Sequence, residues 1–255
     1  MKWLLALAAV AGVPNAAPNE LRFVTCPIYR DTDAGRKSGC WLADDPATSI
    51  RYDVSSAPSK PDWNYAVLVE GIVAAASPLQ DTCGGLVLDP VRTSILPERC
   101  PRHMLPAEGF RGRPFSLPIR NVAPASVVRA VPPGPYRNRT FQLVFDFDRS
   151  FMAYQLDDYL LDQAITWIRA ANPRRIRVTG YAATRPASVS GHSLAERPAV
   201  ARERAERVAE ALLRLGVERS QIEVRWRSDS VVATVDGADG LAEPSRRRAD
   251  IEVFQ

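Results

Sequence analysis

The sequence predicts two unlike folded units: a small disulfide-stapled β-rich domain, then a two-layer α/β domain of order β-α-β-α-β-β. Three observations predict this. All four cysteines lie in the first half of the chain, at positions 26, 40, 83 and 100. Seven prolines crowd residues 106–135. From Phe141 onward, apolar residues recur alternately with period two and period 3.6, the signatures of strands and helices.

Composition narrows the classes. The 255 residues carry a net charge of +4 and are 46% hydrophobic, which excludes wholesale disorder. Thirty of the 33 basic residues are Arg, with no dense basic stripe, so no nucleic-acid partner is expected. Two histidines and four cysteines leave little material for a metal enzyme. Met1-Lys2, the apolar run Trp3–Val13 and the small residues Ala16 and Ala17 predict a secretory signal peptide over residues 1–17. Cys26 lies too far past that run to be a lipid-attachment site. No later apolar run reaches 18 residues, so the mature chain is expected to have no transmembrane helix.

Export gives the cysteines an oxidising compartment, and residues 18–105 read as the stapled domain. Cys26, Cys40, Cys83 and Cys100 allow three pairings. Cys26–Cys40 with Cys83–Cys100 is preferred, because short loops close most easily. A zinc site is disfavoured: no C-x-x-C pair occurs, and His103 is the one nearby imidazole. Ile50–Val54, Tyr65–Glu70 and Gly84–Asp89 are short β-prone runs bounded by turn residues. Trp41, Trp63 and Tyr65 are read as core packing, with a binding face as the alternative.

Residues 106–140 form the Pro-rich linker. Proline removes donors and dihedral freedom, so a semi-rigid extended spacer is expected, holding the domains several tens of Å apart. The alternative is a coil wrapped on the first domain, with Val127–Val131 adding a strand.

Residues 141–255 form the second domain. Phe141–Phe147 alternates as a strand. Leu156, Leu160 and Ile168 fall at helical spacing, with Asp157 and Asp158 at the favourable end of the dipole and Asn172-Pro173 as the stop. Ile176, Val178 and Gly180 alternate as a second strand. Ala201, Ala205, Val208 and Leu212 form the stripe of a second helix, with Glu203/Arg207 and Glu210/Arg214 as i,i+4 pairs and Gly216 as the stop. Gln221–Trp226 and Ala249–Phe254 are the last strands. This half carries 17 Arg against 17 acidic residues and is formally neutral. Arg247 and Arg248 read as charges heading an edge strand. His192 reads as an exposed loop residue. Asp157, Asp158 and Asp162 have no catalytic or calcium reading that competes with the helix dipole.

Phe145-Asp146-Phe147-Asp148, Val178-Thr179-Gly180-Tyr181, Arg204-Ala205-Glu206-Arg207-Val208 and Arg247-Arg248-Ala249-Asp250-Ile251 occur in that order. Residues 141–254 thereby resemble the OmpA-like, peptidoglycan-associated domain. The resemblance implies a non-catalytic periplasmic module that clamps the diaminopimelate of a wall stem peptide, with Asp on its ammonium and Arg on a carboxylate. A zwitterion wants one charge of each sign, and Arg grips a carboxylate with two parallel N–H bonds. The family's Arg falls on Arg204. Its Asp falls on Ala183, which carries no charge. Thr184 offers a weaker hydrogen bond to an ammonium, and Glu196 is the nearest carboxylate able to swing in. Tyr181, the aromatic of the Gly-aromatic pair, completes the set.

The leading expectation is a cell-wall binding module, periplasmic and peripheral to the outer membrane. The alternative is a protein-interaction scaffold of the envelope that has lost the wall ligand, because Ala183 replaces the ligand Asp. An enzyme is the weakest class: no nucleophile–base pair, metal spacing or phosphate loop is visible. No metal or cofactor is expected.

Overall fold

A computed structural model describes residues 20–33, 39–77, 79–80, 82–107, 109–114, 122–124, 126–152 and 156–255. The expected signal segment, residues 1–17, lies outside them. The first half forms strands β1 (Glu20–Thr25), β2 (Ile28–Arg30), β3 (Cys40–Asp44), β4 (Arg51–Asp53), β5 (Tyr65–Val73), β6 (Leu86–Arg99) and β7 (His103–Leu105). They join in one sheet of order β1-β5-β6-β4-β3-β2-β7. One face covers a core that includes Phe23, Tyr52, Val54, Val67, Val69 and Leu88.

The second half comprises β8 (Arg139–Val144), α1 (Leu156–Ala171), β9 (Arg175–Tyr181), β10 (Ala187–Val189), β11 (His192–Leu194), α2 (Pro198–Arg214), β12 (Ile222–Arg227), α3 (Ala242–Ser245) and β13 (Arg248–Phe254). The main sheet has order β12-β9-β13-β8, with β12 parallel to β9 and β13 antiparallel to both its neighbours. Leu160, Ile165 and Ile168 of α1 and Ala205, Val208 and Leu212 of α2 pack with Ile176, Val178 and Ile251 in one core. Both helices therefore lie on one face, the two-layer arrangement expected. The small hairpin β10–β11 is an addition to that pattern.

Two glycines are required by geometry. A Cβ on Gly180 would meet the Ala201 carbonyl oxygen at 2.0 Å, so its absence lets α2 settle onto β9. Gly216 ends α2 at φ 92°, in the left-handed region.

Four expectations are corrected. The disulfides join Cys26 to Cys100 and Cys40 to Cys83, across separations of 74 and 43 residues. Closure entropy grows only with the logarithm of loop length, so it yields easily to strand order. Cys26 and Cys100 follow β1 and β6, strands separated only by β5.

The halves do not stand apart on a spacer. Glu70 of β5 accepts hydrogen bonds from Arg247 Nη1 (3.0 Å) and Nη2 (2.5 Å) with both side chains essentially buried. Phe147 N donates to Ser94 Oγ at 2.8 Å, and Arg92 donates to the Gly237 carbonyl. Alternation along the strands explains the contact: Val67 and Val69 serve the first core, whereas Ala66, Leu68 and Glu70 face the second half. The early part of the Pro-rich segment is wrapped on the first half, the alternative expected for it: Gly112 N donates to Thr82 O at 3.0 Å, and Arg113 Nη2 to Asp53 at 2.9 Å. Its later described part has no strand at Val127–Val131 and lies against α1. There Arg129 Nε donates to Asp162 at 3.1 Å, and Tyr136 packs edge-on to Trp167.

Arg247 and Arg248 do not head an edge strand, because β13 lies inside the sheet. Arg248 pairs with Asp250 at 3.0 Å. On α2, Glu210 pairs with Arg214 at 3.7 Å as expected, but Glu203 turns to Arg197 instead of Arg207.

Candidate functional site

The site lies where β9 ends, the β10–β11 hairpin returns and α2 begins. Arg204 sits on the buried stripe of α2 between Ala201, Ala205 and Val208. The stripe faces the sheet, so its guanidinium is carried inward, and both it and Glu196 are fully buried. Such a charge is tolerable only when paired and hydrogen-bonded.

The pairing is complete. Arg204 Nε donates to Arg149 O at 2.9 Å. Nη1 donates to Tyr181 O at 2.7 Å and to Glu196 Oε2 at 3.0 Å. Nη2 donates to Asp146 O at 3.1 Å and to Glu196 Oε1 at 2.5 Å. A guanidinium has five N–H groups, and all five are spent. Glu196 receives two further bonds, from Asp148 N to Oε1 at 2.8 Å and from Ala183 N to Oε2 at 2.6 Å. Burial pushes the Glu196 carboxyl up, but the Arg204 charge and hydrogen bonds outweigh it and hold the group below the usual carboxylate range. Glu196 is therefore an anion gripped at two points by Arg204.

The sequence-derived residues separate into two groups. Arg204 and Glu196 meet directly, and Tyr181 joins them through its backbone carbonyl. The Tyr181 ring lies elsewhere, beneath the Arg248 guanidinium at 4.2 Å. Thr184 also turns away, its hydroxyl donating to the Ser228 carbonyl.

Sequence reasoning missed Asp146 and Arg149, whose carbonyls finish the Arg204 cage, because backbone acceptors leave no side-chain signature. It also missed Asp229. This exposed residue stands opposite Ala183 in an antiparallel bridge. Ser230 N donates to Ala182 O at 3.3 Å, which makes 183/229 a non-hydrogen-bonded pair. In such a pair the two side chains lie close on one face. A carboxylate thus stands beside the position where the resemblance leads one to look for it.

Among the described residues, no group of three or more His, Cys, Asp or Glu could hold a metal ion. No helix among them is long and apolar enough to cross a membrane. His192 is half-buried in β11, with Nδ1 3.9 Å from Glu98.

Neither a family model nor a curated protein matches the chain. Solved structures do match. Its structural neighbours are OmpA-like domains. The OmpA-like domain of FopA1 from Francisella tularensis is 16% identical, covers 46% of this chain and 71% of its own, and has a TM-score of 0.36. The peptidoglycan-associated lipoprotein from Burkholderia pseudomallei is 29% identical over 45% of this chain and 90% of its own, at a TM-score of 0.34. The cell wall anchor of the T6SS from Pseudomonas aeruginosa is 23% identical over 46% of this chain and 81% of its own, at 0.35.

Proposed function

We propose that the OmpA-like half is a non-catalytic cell-wall binding module of an exported, periplasmic envelope protein, and that a carboxylate of a stem peptide is the group Arg204 holds. The observation that carries this reading is the two-point grip of a buried arginine on a carboxylate, at 2.5 and 3.0 Å. It is the chemistry a peptide carboxylate needs. Asp229, across the bridge from Ala183, is positioned to supply the anionic pole for the ligand's ammonium. In the conformation described, the gripped carboxylate belongs to Glu196, so the site is filled by the chain itself.

A second reading, an envelope scaffold without a wall ligand, is favoured by the saturation of all five Arg204 N–H groups. Retention of the full-length mature chain on isolated diaminopimelate-type sacculi separates the two. Under the first reading Glu196→Gln is retained, free meso-diaminopimelate competes it off, and a further Asp229→Asn change weakens it. If folded wild type and folded Glu196→Gln both pass through unretained, the scaffold reading stands.

A further inference from the structure

The environment of Glu196 implies more than a filled site. Four donors converge on its carboxylate: the backbone N–H groups of Asp148 and Ala183, and one N–H from each Nη of Arg204. Withdrawing Glu196 would leave these four aimed at one point, a ready cradle for another carboxylate. What matters is then what keeps Glu196 in place.

Glu196 follows the β10–β11 hairpin by two residues, a reach of about 7 Å at most. The hairpin turns at Ser190 (φ 48°) and Gly191 (φ 81°), both in the left-handed region. That is the two-residue turn whose twist matches its strands, which pair over Ala187–Val189 and His192–Leu194. It is docked on the disulfide-stapled sheet, not on its own. Val189 and Leu194 pack in one cluster with Val24, Ala66, Leu68 and Leu96. Ser190 Oγ accepts a hydrogen bond from Val24 N of β1 at 3.1 Å. Cys100, bonded to Cys26 at the end of β1, packs against the same cluster.

An open cleft of about 420 Å³ lies at this junction, lined by Phe147, Asp148, Arg149, Leu194, Ala195 and Arg197. It includes both chain neighbours of Glu196. Besides the hairpin, the segment is tied by Glu196 N to Ala183 O at 3.1 Å and by Arg197 N and Nε to Asp148 at 2.9 and 2.8 Å, bonds that open together with the hairpin if Glu196 leaves.

We propose that Glu196 is a built-in occupant of the Arg204 site, held there by docking of the β10–β11 hairpin on the disulfide-stapled sheet, so that the first domain gates the site against an external carboxylate. The inference rests on the wall-binding reading and adds its control. Lifting the hairpin exchanges one carboxylate for another on the same four donors, with no change in net charge at the cradle.

The experiment uses the full-length mature chain with its disulfides intact. The hairpin is loosened by Val189→Ser with Ser190→Gly. These changes remove one of the two apolar anchors, leaving Leu194, together with the hydroxyl acceptor, and glycine keeps the left-handed turn. Neither residue is among the hydrogen-bond partners given above for Arg204 and Glu196. Amide hydrogen exchange at Ala183 and Asp148 reports whether Glu196 is in place, and sacculus binding reports whether the site is open. The expected result is at least a tenfold loss of protection at both amides, with at least a tenfold gain in binding that free meso-diaminopimelate reverses. Unchanged protection in the loosened variant overturns the gate, and so does lost protection without a gain in binding. If Glu196→Gln binds sacculi and the hairpin variant does not, the gate falls while the wall-binding reading survives. If neither binds, the wall-binding reading falls, and the gate with it. Should Glu196→Gln fail to fold, Glu196→Asp, one methylene shorter, takes its place.

Discussion

Replacing Glu70 by Gln tests whether a single buried charge cluster welds the two halves. In the native protein the Glu70 carboxylate is fully buried and accepts two bonds from Arg247 and one from Arg22 Nε at 3.0 Å. Glutamine keeps the shape but removes the charge, and its amide group presents donors to donors. Arg22 is partly exposed and retains Glu243 at 3.6 Å. Arg247 is 1% exposed and keeps Nε to Phe145 O at 3.3 Å and at most one neutral bond to the glutamine carbonyl, with no charge facing it there. Breaking a buried pair on one side costs about 3–5 kcal/mol, because the other charge is left uncompensated. For a chain of this size, each kcal/mol lowers Tm by roughly 2–4 °C, so a drop of about 10 °C is expected in scanning calorimetry. The double change Glu70→Leu with Arg247→Met removes both charges and should recover most of the loss, since an apolar pair of similar volume avoids the desolvation penalty. A drop below about 2 °C for Glu70→Gln would refute the reasoning. So would a double variant as unstable as the two single changes added together.

The buried carboxylates also make stability depend on pH. Burial alone would raise Glu70 and Glu196, but Arg247 with Arg22, and Arg204, hold them below the usual carboxylate range. A depressed carboxylate contributes stability above its unfolded value, about 4.3, and that contribution is lost as pH falls through the folded value. Asp146 and Asp250 are raised, chiefly by burial, so acidification relieves them and partly offsets the loss. Chemical denaturation should therefore show stability falling below about pH 4, with a shallower fall in Glu70→Gln. Gly180→Ala would drive a Cβ into the Ala201 carbonyl at 2.0 Å. Overpacking of this kind costs about 1–3 kcal/mol or more, read as a lower denaturant midpoint. Non-reducing peptide mapping should recover Cys40 linked to Cys83, and Cys40→Ser with Cys83→Ser should lose about 4 kcal/mol for a 43-residue separation. Arg204→Ala should cost about 3–5 kcal/mol by stranding Glu196, whether or not a ligand ever binds there.

Local pattern made much of the second half legible. Leu156, Leu160 and Ile168 announced α1 by their spacing, Asn172-Pro173 marked its end, and Gly216 closed α2. These signals are short-range, written in residues three or four apart, and tertiary context had no reason to override them. The run Tyr65-Ala66-Val67-Leu68-Val69-Glu70 carries a further signal. Its lack of alternation is the mark of a strand covered on both faces, and the second face belongs to the other half of the chain. Arg204 was singled out by the resemblance, while by residue type alone it reads as one of several surface arginines on α2, and nothing near it in sequence revealed that its charge is already answered.

By itself, the sequence determined the order of the main strands and helices in the C-terminal half, without the β10–β11 hairpin or α3, and the stapling of the N-terminal half. Each depends on residue type and near-neighbour spacing. Only the tertiary structure decided which cysteines meet, that Glu70 reaches Arg247 across 177 residues, and that Glu196 rests on Arg204. Those pairings depend on which strands become neighbours and which side chains lose their water together. Loop-closure entropy changes too slowly with separation to single them out beforehand.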